Sequence, residues 1–471
     1  MVSRSLGRHP CLAACSEAPI EYRVQMVNTH DLMSWPECSV VRMNAVPDIE
    51  PTVATVTQAY RFALDPTARQ RRALASHCGA ARVAQNWGLE LVKTRLDQRC
   101  AGENVKVPWT LNDLRWEWNR AKHEIGPWWA ENSKEAYSSG LDGLARALRN
   151  WSDSRGGRRK GRPMGFPRKK RKGRARDACR FTTGPLRVLG DRKHVQLPKI
   201  GVLKTHESTR KLARRLEQGT ARILAATVSR TADRWFVSFT CEVQRVIPMG
   251  GGRTAVVGVD VGVRHRAVLS TGVFVRNPRA LEESLKRLRQ LNRQLTRRQG
   301  PRAADGQYRV PSAGWQQARR QLARTHARIS SIRRDALHKL TTTLATEYGT
   351  VVVEHLNVAG MVRNRHLARA IADSGMGELR RLLAYKTIWH GSHLVVANPS
   401  YPSSKTCSAC GWVKAKLTLA ERIFTCEACS LRIDRDLNAA HNLAKLADHV
   451  AQSGWETQNA RGADVRPGVP G

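Results

Sequence analysis

Two Cys-x2-Cys pairs near the C-terminus, Cys407/Cys410 and Cys426/Cys429, stand with fifteen residues between them. No other feature limits the possible folds as much. Thiols at this spacing form the two knuckles of a four-thiolate zinc ribbon. Four sulfurs complete the tetrahedral shell, so the expected zinc is structural and keeps no open position for a substrate. The pairs run straight into Asp434-Arg-Asp436-Leu-Asn-Ala-Ala, whose continuation to Leu446 has helical spacing. A carboxylate suits the positive end of such a helix. The ribbon would fix the turn that delivers Asp436, while Asp434 fits a helix cap or a solvated position better.

Two further acids are isolated in apolar surroundings. Asp260 closes Val256-Val-Gly-Val, and Glu354 closes Val351-Val-Val. A charge ending a buried strand is costly unless it is paired or binds metal. Each acid alone reads most simply as a cap or a solvated group. Together with the ribbon, Asp260, Glu354 and Asp436 suggest one shared Mg²⁺ site for phosphodiester hydrolysis. Two such ions roughly 4 Å apart activate water and stabilise the leaving oxygen, and Mg²⁺ keeps several waters, so few side chains suffice. In this reading Asp260 bridges, and Glu354 and Asp436 each complete one metal. His355, His393 and His441 lie near these motifs and read as satisfied or exposed histidines.

The charge of the chain names its partner. Eighty Lys and Arg oppose 39 Asp and Glu, a net +41 spread over the whole length. Self-repulsion makes that excess costly, and a polyanion offsets it through counterion release. DNA is the expected partner. With 41% hydrophobic residues among 471, the chain can build a core of two to four domains. No run of about eighteen apolar residues exists, so no membrane span is expected. Large size and no signal-like segment place the other seven cysteines in a reducing cytoplasm.

The pattern along the chain gives an order of parts. Residues 1–52 show little periodicity and read as a disordered or misassigned extension. A strand is expected at 53–64, with Asp65-Pro66 opening a helix. Helices are expected at 111–124 and 133–151. Seven of thirteen tryptophans fall between Trp87 and Trp151. They read first as core, with stacking on unpaired bases as the alternative. Twelve of the 22 residues from Arg155 to Arg176 are Lys or Arg, broken by Gly and Pro. That stretch reads as a basic linker able to follow a phosphate backbone. Strands return over 185–243, including a hairpin of 221–230 with 234–242. After Gly250–Gly252 come an apolar run at 255–262 interrupted by Asp260 and strands at 265–270, 350–353 and 395–397, which bracket two basic helices with apolar stripes, joined by a loop at 300–314.

These residues resemble a known family. Val-Gly-Val-Asp260-Val-Gly, Val-Val-Val-Glu354-His-Leu-Asn-Val, Ser403-Ser-Lys-Thr-Cys407-Ser-Ala-Cys410-Gly and Asp434-Arg-Asp436-Leu-Asn-Ala-Ala are similar to TnpB, or OrfB, the accessory "transposase" of small insertion sequences. Ala59-Tyr-Arg-Phe and Asn86-Trp-Gly-Leu fit the same family, and the likeness spans roughly 53–446. The resemblance implies an α/β multidomain protein. Its parts would be a RuvC-like RNase H domain (253–399 and 430–446) with an inserted four-cysteine zinc ribbon (400–429), and a wedge-type β-barrel (53–64 and 185–243). A helical recognition insertion (65–153), a basic linker (154–184) and a disordered tail (447–471) would complete it. It further implies RNA-guided DNA cleavage, with a guide RNA as partner and Asp260, Glu354 and Asp436 catalytic. Type V CRISPR effectors are similar to this family. The chain departs from the pattern in its N-terminal extension and at Ser430, where glycine is usual. A transposase joining DNA strands itself, or a non-cleaving nucleic-acid-binding regulator, are the competing readings. The first fits poorly with a ribbon before the last acid.

Overall fold

The computed structural model describes residues 52–159, 161–248, 253–301, 309–418 and 420–453. Among these, 55–244 form one compact unit, and 52–54 with 245–453 form a second. The expected extension at 1–52 lies outside the described residues except at Thr52, where β1 begins.

In the first unit, β1 (Thr52–Asp65) is followed by three helices: α1 (Ala68–Cys100), α2 (Leu111–Ile125) and α3 (Lys134–Arg155). Helix α1 starts later than Asp65-Pro66 suggested. Thr67 is its N-cap: Thr67 Oγ1 accepts from the Gln70 N–H at 3.3 Å, and Gln70 Oε1 accepts from the Thr67 N–H at 2.9 Å. This reciprocal capping box satisfies two otherwise orphaned donors, more than an Asp-Pro start offers. Then come β2 (Ala178–Phe181), β3 (Arg187–Val188), β4 (His194–Leu197), β5 (Gly201–Thr205), α4 (Arg210–Glu217), β6 (Ala221–Thr231) and β7 (Arg234–Ile247). They build a seven-stranded sheet in the order β2-β6-β7-β1-β5-β4-β3. The expected hairpin is β6–β7. Helix α4, where only strands were expected, packs Leu212 and Ala213 inward and exposes Arg210 and Arg214.

Most of the tryptophans between 87 and 151 serve the core of this unit. Trp118 and Trp151 are buried, and Trp87, Trp109 and Trp129 pack against the same cluster. Trp116 and Trp128 are exposed.

The arginine-rich stretch forms no regular element, as its glycines and prolines require, yet it is not a free linker. The Lys170 N–H donates to Asn86 Oδ1 at 2.7 Å, and Asn86 Nδ2 donates to the Lys170 carbonyl at 2.9 Å. Lys169 pairs with Glu90 at 2.7 Å, and Phe166 meets Trp151 edge-on at 5.1 Å. Backbone pairing to a helix side chain lets a highly charged strand lie down without a sheet, with Arg168, Arg171, Lys172 and Arg174 left exposed.

The second unit is built on β8 (Val256–Asp260), β9 (His265–Leu269), β10 (Phe274–Arg276), β11 (Thr350–Val353) and β12 (His393–Val396), in the order β10-β9-β8-β11-β12. Strands β8, β11 and β12 are parallel, and β9 and β10 run antiparallel. Between β10 and β11 lie α5 (Ala280–Arg297) and α6 (Ala313–Glu347), the expected leucine-striped pair. Between β11 and β12 lie α7 (Val358–Met361), α8 (Ala368–Ser374) and α9 (Met376–His390). After β12 come β13 (Ile423–Thr425), β14 (Arg432–Asp434) and α10 (Arg435–Ser453). Helix α10 runs beyond the expected end at 446, because Leu446 and Ala447 still pack beside Leu443 on the sheet. The rest of the expected tail, 454–471, lies outside the described residues.

One sheet face meets α6 and α9 through Val257, Val259, Val351 and Val353. The other meets α10 through Val256, Val352 and Val395. Side chains alternate across a strand, so odd positions of β8 and β11 face one helical layer and even positions the other.

Candidate metal and carboxylate site

Parity carries Asp260 and Glu354 to the same side. Asp260 follows Val256 and Gly258 on the α10 side, and Glu354 follows Val352 there. The register pairs Val259 with Val353, so the two acids emerge next to each other at the carboxyl ends of adjacent parallel strands. In open α/β sheets that end is where ligands bind. Asp436 sits in the first turn of α10, the helix lying on this face.

Gly258 sets how close that helix comes. A Cβ there would meet the Ala440 carbonyl oxygen at 2.0 Å and the Ala444 nitrogen at 2.5 Å. The backbone of β8 therefore touches the backbone of α10, and the apolar run needs a glycine two residues before Asp260.

The acids sense one another. The Asp260 carboxyl is held well above the usual carboxylate range, first by burial, then by the charges of Glu354 and Asp436; Arg435 opposes the shift. Arg435 also contacts Asp436 Oδ1 at 3.5 Å. Asp434 belongs to the helix end: its Oδ1 accepts the N–H groups of Asp436 at 2.9 Å and Leu437 at 3.2 Å. That is an N-cap, as its sequence position suggested.

The four sulfurs of Cys407, Cys410, Cys426 and Cys429 lie within 4.8 Å of one another and can hold one metal ion. Among the described residues no other set of three or more such ligands is gathered so tightly. The three acids converge without closing into a single shell. The knuckles are two copies of one turn. The Cys407 N–H donates to the Trp412 carbonyl at 2.7 Å, and the Cys426 N–H to that of Leu431 at 2.9 Å. Gly411 follows the first knuckle with φ 78°, and Ser430 follows the second with φ 61°. Both are left-handed, which explains a preference for glycine at Ser430.

Against the cost of burial, the N–H groups of Cys410 and Ala409 bring Cys407 down to about 7. Despite the Leu431 N–H, the neighbouring thiols push Cys429 up to about 12. Four adjacent sulfurs cannot all ionise unaided, whereas a divalent cation favours four thiolates at once. The donor set fits zinc. The crowded carboxyls likewise fit hard divalent cations.

Sequence reasoning missed the clamp that joins ribbon to helix. Asn438 and Asn442, one turn apart on α10, are both buried. Asn438 Nδ2 donates to the Thr406 carbonyl at 2.7 Å, and its Oδ1 accepts from the Ser408 N–H at 2.9 Å. Asn442 Nδ2 donates to the carbonyls of Thr406 at 2.6 Å and Ser403 at 2.8 Å. The i, i+4 asparagines in Asn438-Ala-Ala-His-Asn442 were the available signal, since an amide on an apolar helix face needs partners.

The comparisons fall on these parts. Residues 238–365 match the OrfB_IS605 family, described as "Probable transposase", and 377–443 match "Cas12f1-like, TNB domain". Residues 55–100 match a "Helix-turn-helix domain"; here that span holds β1 and the single continuous helix α1. The chain is 38% identical over 440 residues to "Putative RNA-guided DNA endonuclease Rv2885c" of Mycobacterium tuberculosis (strain ATCC 25618 / H37Rv), covering 87% of this chain and 91% of the relative. The chain belongs to the TnpB/OrfB family. A Streptomyces pristinaespiralis relative with the same description is 35% identical, with 88% and 92% covered. The InsQ relative of Escherichia coli (strain K12) is 28% identical, with 87% and 97% covered. Against the solved "Cas12f1-sgRNA-target DNA complex", the TM-score is 0.48 at 14% identity, with 83% of this chain and 99% of that chain covered. Among the described residues no helix is long and apolar enough to cross a membrane.

Proposed function

We propose that this TnpB/OrfB protein is an RNA-guided DNA endonuclease that hydrolyses phosphodiesters with Mg²⁺. The observation that carries the proposal is the meeting of Asp260 and Glu354 on the face covered by α10, with Asp260 raised by burial and by the charges of Glu354 and Asp436. Crowded carboxylates repel, Arg435 offsets only part of that charge, and a divalent cation relieves the rest. The names of the relatives support both the reaction and the guide RNA.

In this reading Asp260, Glu354 and Asp436 hold the metal. Bound Mg²⁺ supplies an activated water and stabilises the departing oxygen. Asp434 keeps Asp436 at the helix end. Cys407, Cys410, Cys426 and Cys429 hold zinc and take no part in the chemistry. The sheet with α10 corresponds to a RuvC-like RNase H domain, and the seven-stranded sheet to a wedge-type barrel carrying α1–α3 as the recognition insertion. The pinned basic strap follows nucleic-acid backbone.

The test uses protein purified with its copurifying nucleic acid, which is sequenced and used to design a matched duplex. Cleavage of that duplex is expected in Mg²⁺. EDTA or Asp260→Ala should reduce it to background while binding persists. Unchanged cutting by Asp260→Ala would refute the site. Efficient cutting of unmatched duplex by RNA-free protein would refute the guide.

A further inference from the structure

We infer that Ser403 is a positioning residue for Glu354, an inference that rests on the proposed metal site. Ser403 stands four residues before the first zinc-ligand cysteine, in the segment leading from β12 into the ribbon. It is buried, and its hydroxyl donates to Glu354 Oε1. A donor on one carboxylate oxygen fixes the rotation of the group and leaves Oε2 to take a cation.

The serine is itself held at both ends of its peptide unit. Its N–H donates to the Tyr401 carbonyl at 2.9 Å, and its carbonyl accepts from Asn442 Nδ2 at 2.8 Å. The Tyr401 hydroxyl donates to the Asn442 carbonyl at 3.2 Å. Asn442 lies on α10, the helix that carries Asp436 in its first turn. The ribbon lead-in, α10 and Glu354 thus share one hydrogen-bonded chain. Through it the zinc knuckle and its helix set the orientation of an acid from a strand that neither of them extends. Ser403 thereby ties Glu354 to the helix that carries Asp436.

Partners that orient a metal ligand from behind typically affect metal affinity or activity 10- to 100-fold. The experiment measures Mn²⁺ binding by electron paramagnetic resonance on full-length zinc-loaded protein, alongside Mg²⁺-dependent cleavage. Ser403→Ala is expected to weaken Mn²⁺ about 10-fold and to raise the Mg²⁺ needed for half-maximal cleavage similarly, while zinc content and melting temperature hold. Ser403→Thr, which keeps the hydroxyl, should recover most of the affinity. Should the alanine variant lose its zinc, Ser403→Cys, close in size with a weaker donor, is read instead and should fall between. Wild-type Mn²⁺ affinity in a zinc-loaded Ala or Cys variant overturns the positioning role. Wild-type Mn²⁺ binding that ignores Asp260→Ala overturns the metal site beneath it, and the positioning role with it.

Discussion

Single residues hold this molecule to demanding geometry, and Ser430 is the clearest case. It occupies the left-handed position that Gly411 fills in the matching knuckle. A side chain there costs roughly 1–2 kcal/mol relative to glycine, less the extra chain entropy glycine loses on folding. Ser430→Gly should therefore stabilise the ribbon by about 0.5–1 kcal/mol. Zinc release to a chelator should slow accordingly; faster release would mean that the serine is favoured where it stands. The same scale explains the shifted start of α1. Asp65-Pro66 is a legitimate start signal, but Thr67 with Gln70 satisfies more backbone donors.

At the level of elements, the decisive events are the alternation of β8 and β11 and the close seat of α10. The strands were legible as apolar runs ending in acids, and their lengths came out close. Their facing depends on the parallel register, which joins residues almost a hundred positions apart. Gly258 is the contact that this arrangement cannot give up. Gly258→Ala puts a methyl group against the α10 backbone and should destabilise the second unit by about 1–3 kcal/mol, as overpacking does. Denaturation with tryptophan fluorescence would measure the loss. Cleavage should fall with it, and zinc should stay bound, because the added methyl group meets Ala440 and Ala444 rather than the cysteine knuckles. The asparagine pair was visible in the sequence but its partners in the clamp were not, because they are backbone carbonyls and an N–H that only the folded loop presents.

Over the whole chain the surplus of positive charge is the dominant property. A surface strap fixed by Asn86 and Glu90 converts part of that surplus into a shaped array. Replacing Arg168, Arg171, Lys172 and Arg174 by glutamine should weaken nucleic-acid binding at every sequence alike. For duplex DNA, the slope of log affinity against log salt should shrink by about 0.9 for each phosphate the strap no longer neutralises. A titration at several salt concentrations reads that slope directly, and an unchanged slope would remove the strap from the interface. Base preference should stay as it is, since phosphate contacts position rather than specify.

The sequence by itself determined the chemistry this protein can hold: four thiols at ribbon spacing, isolated acids after apolar strands, a cationic stretch unable to be a helix. Those are local facts, because composition, period and spacing act within a few residues. Only the tertiary structure decided which faces those acids share, that α10 rests on Gly258, that the cationic stretch is tied down, and that Ser403 reaches Glu354. Each of these depends on contacts between distant segments. Such contacts follow from register and packing, which no short window of residues encodes.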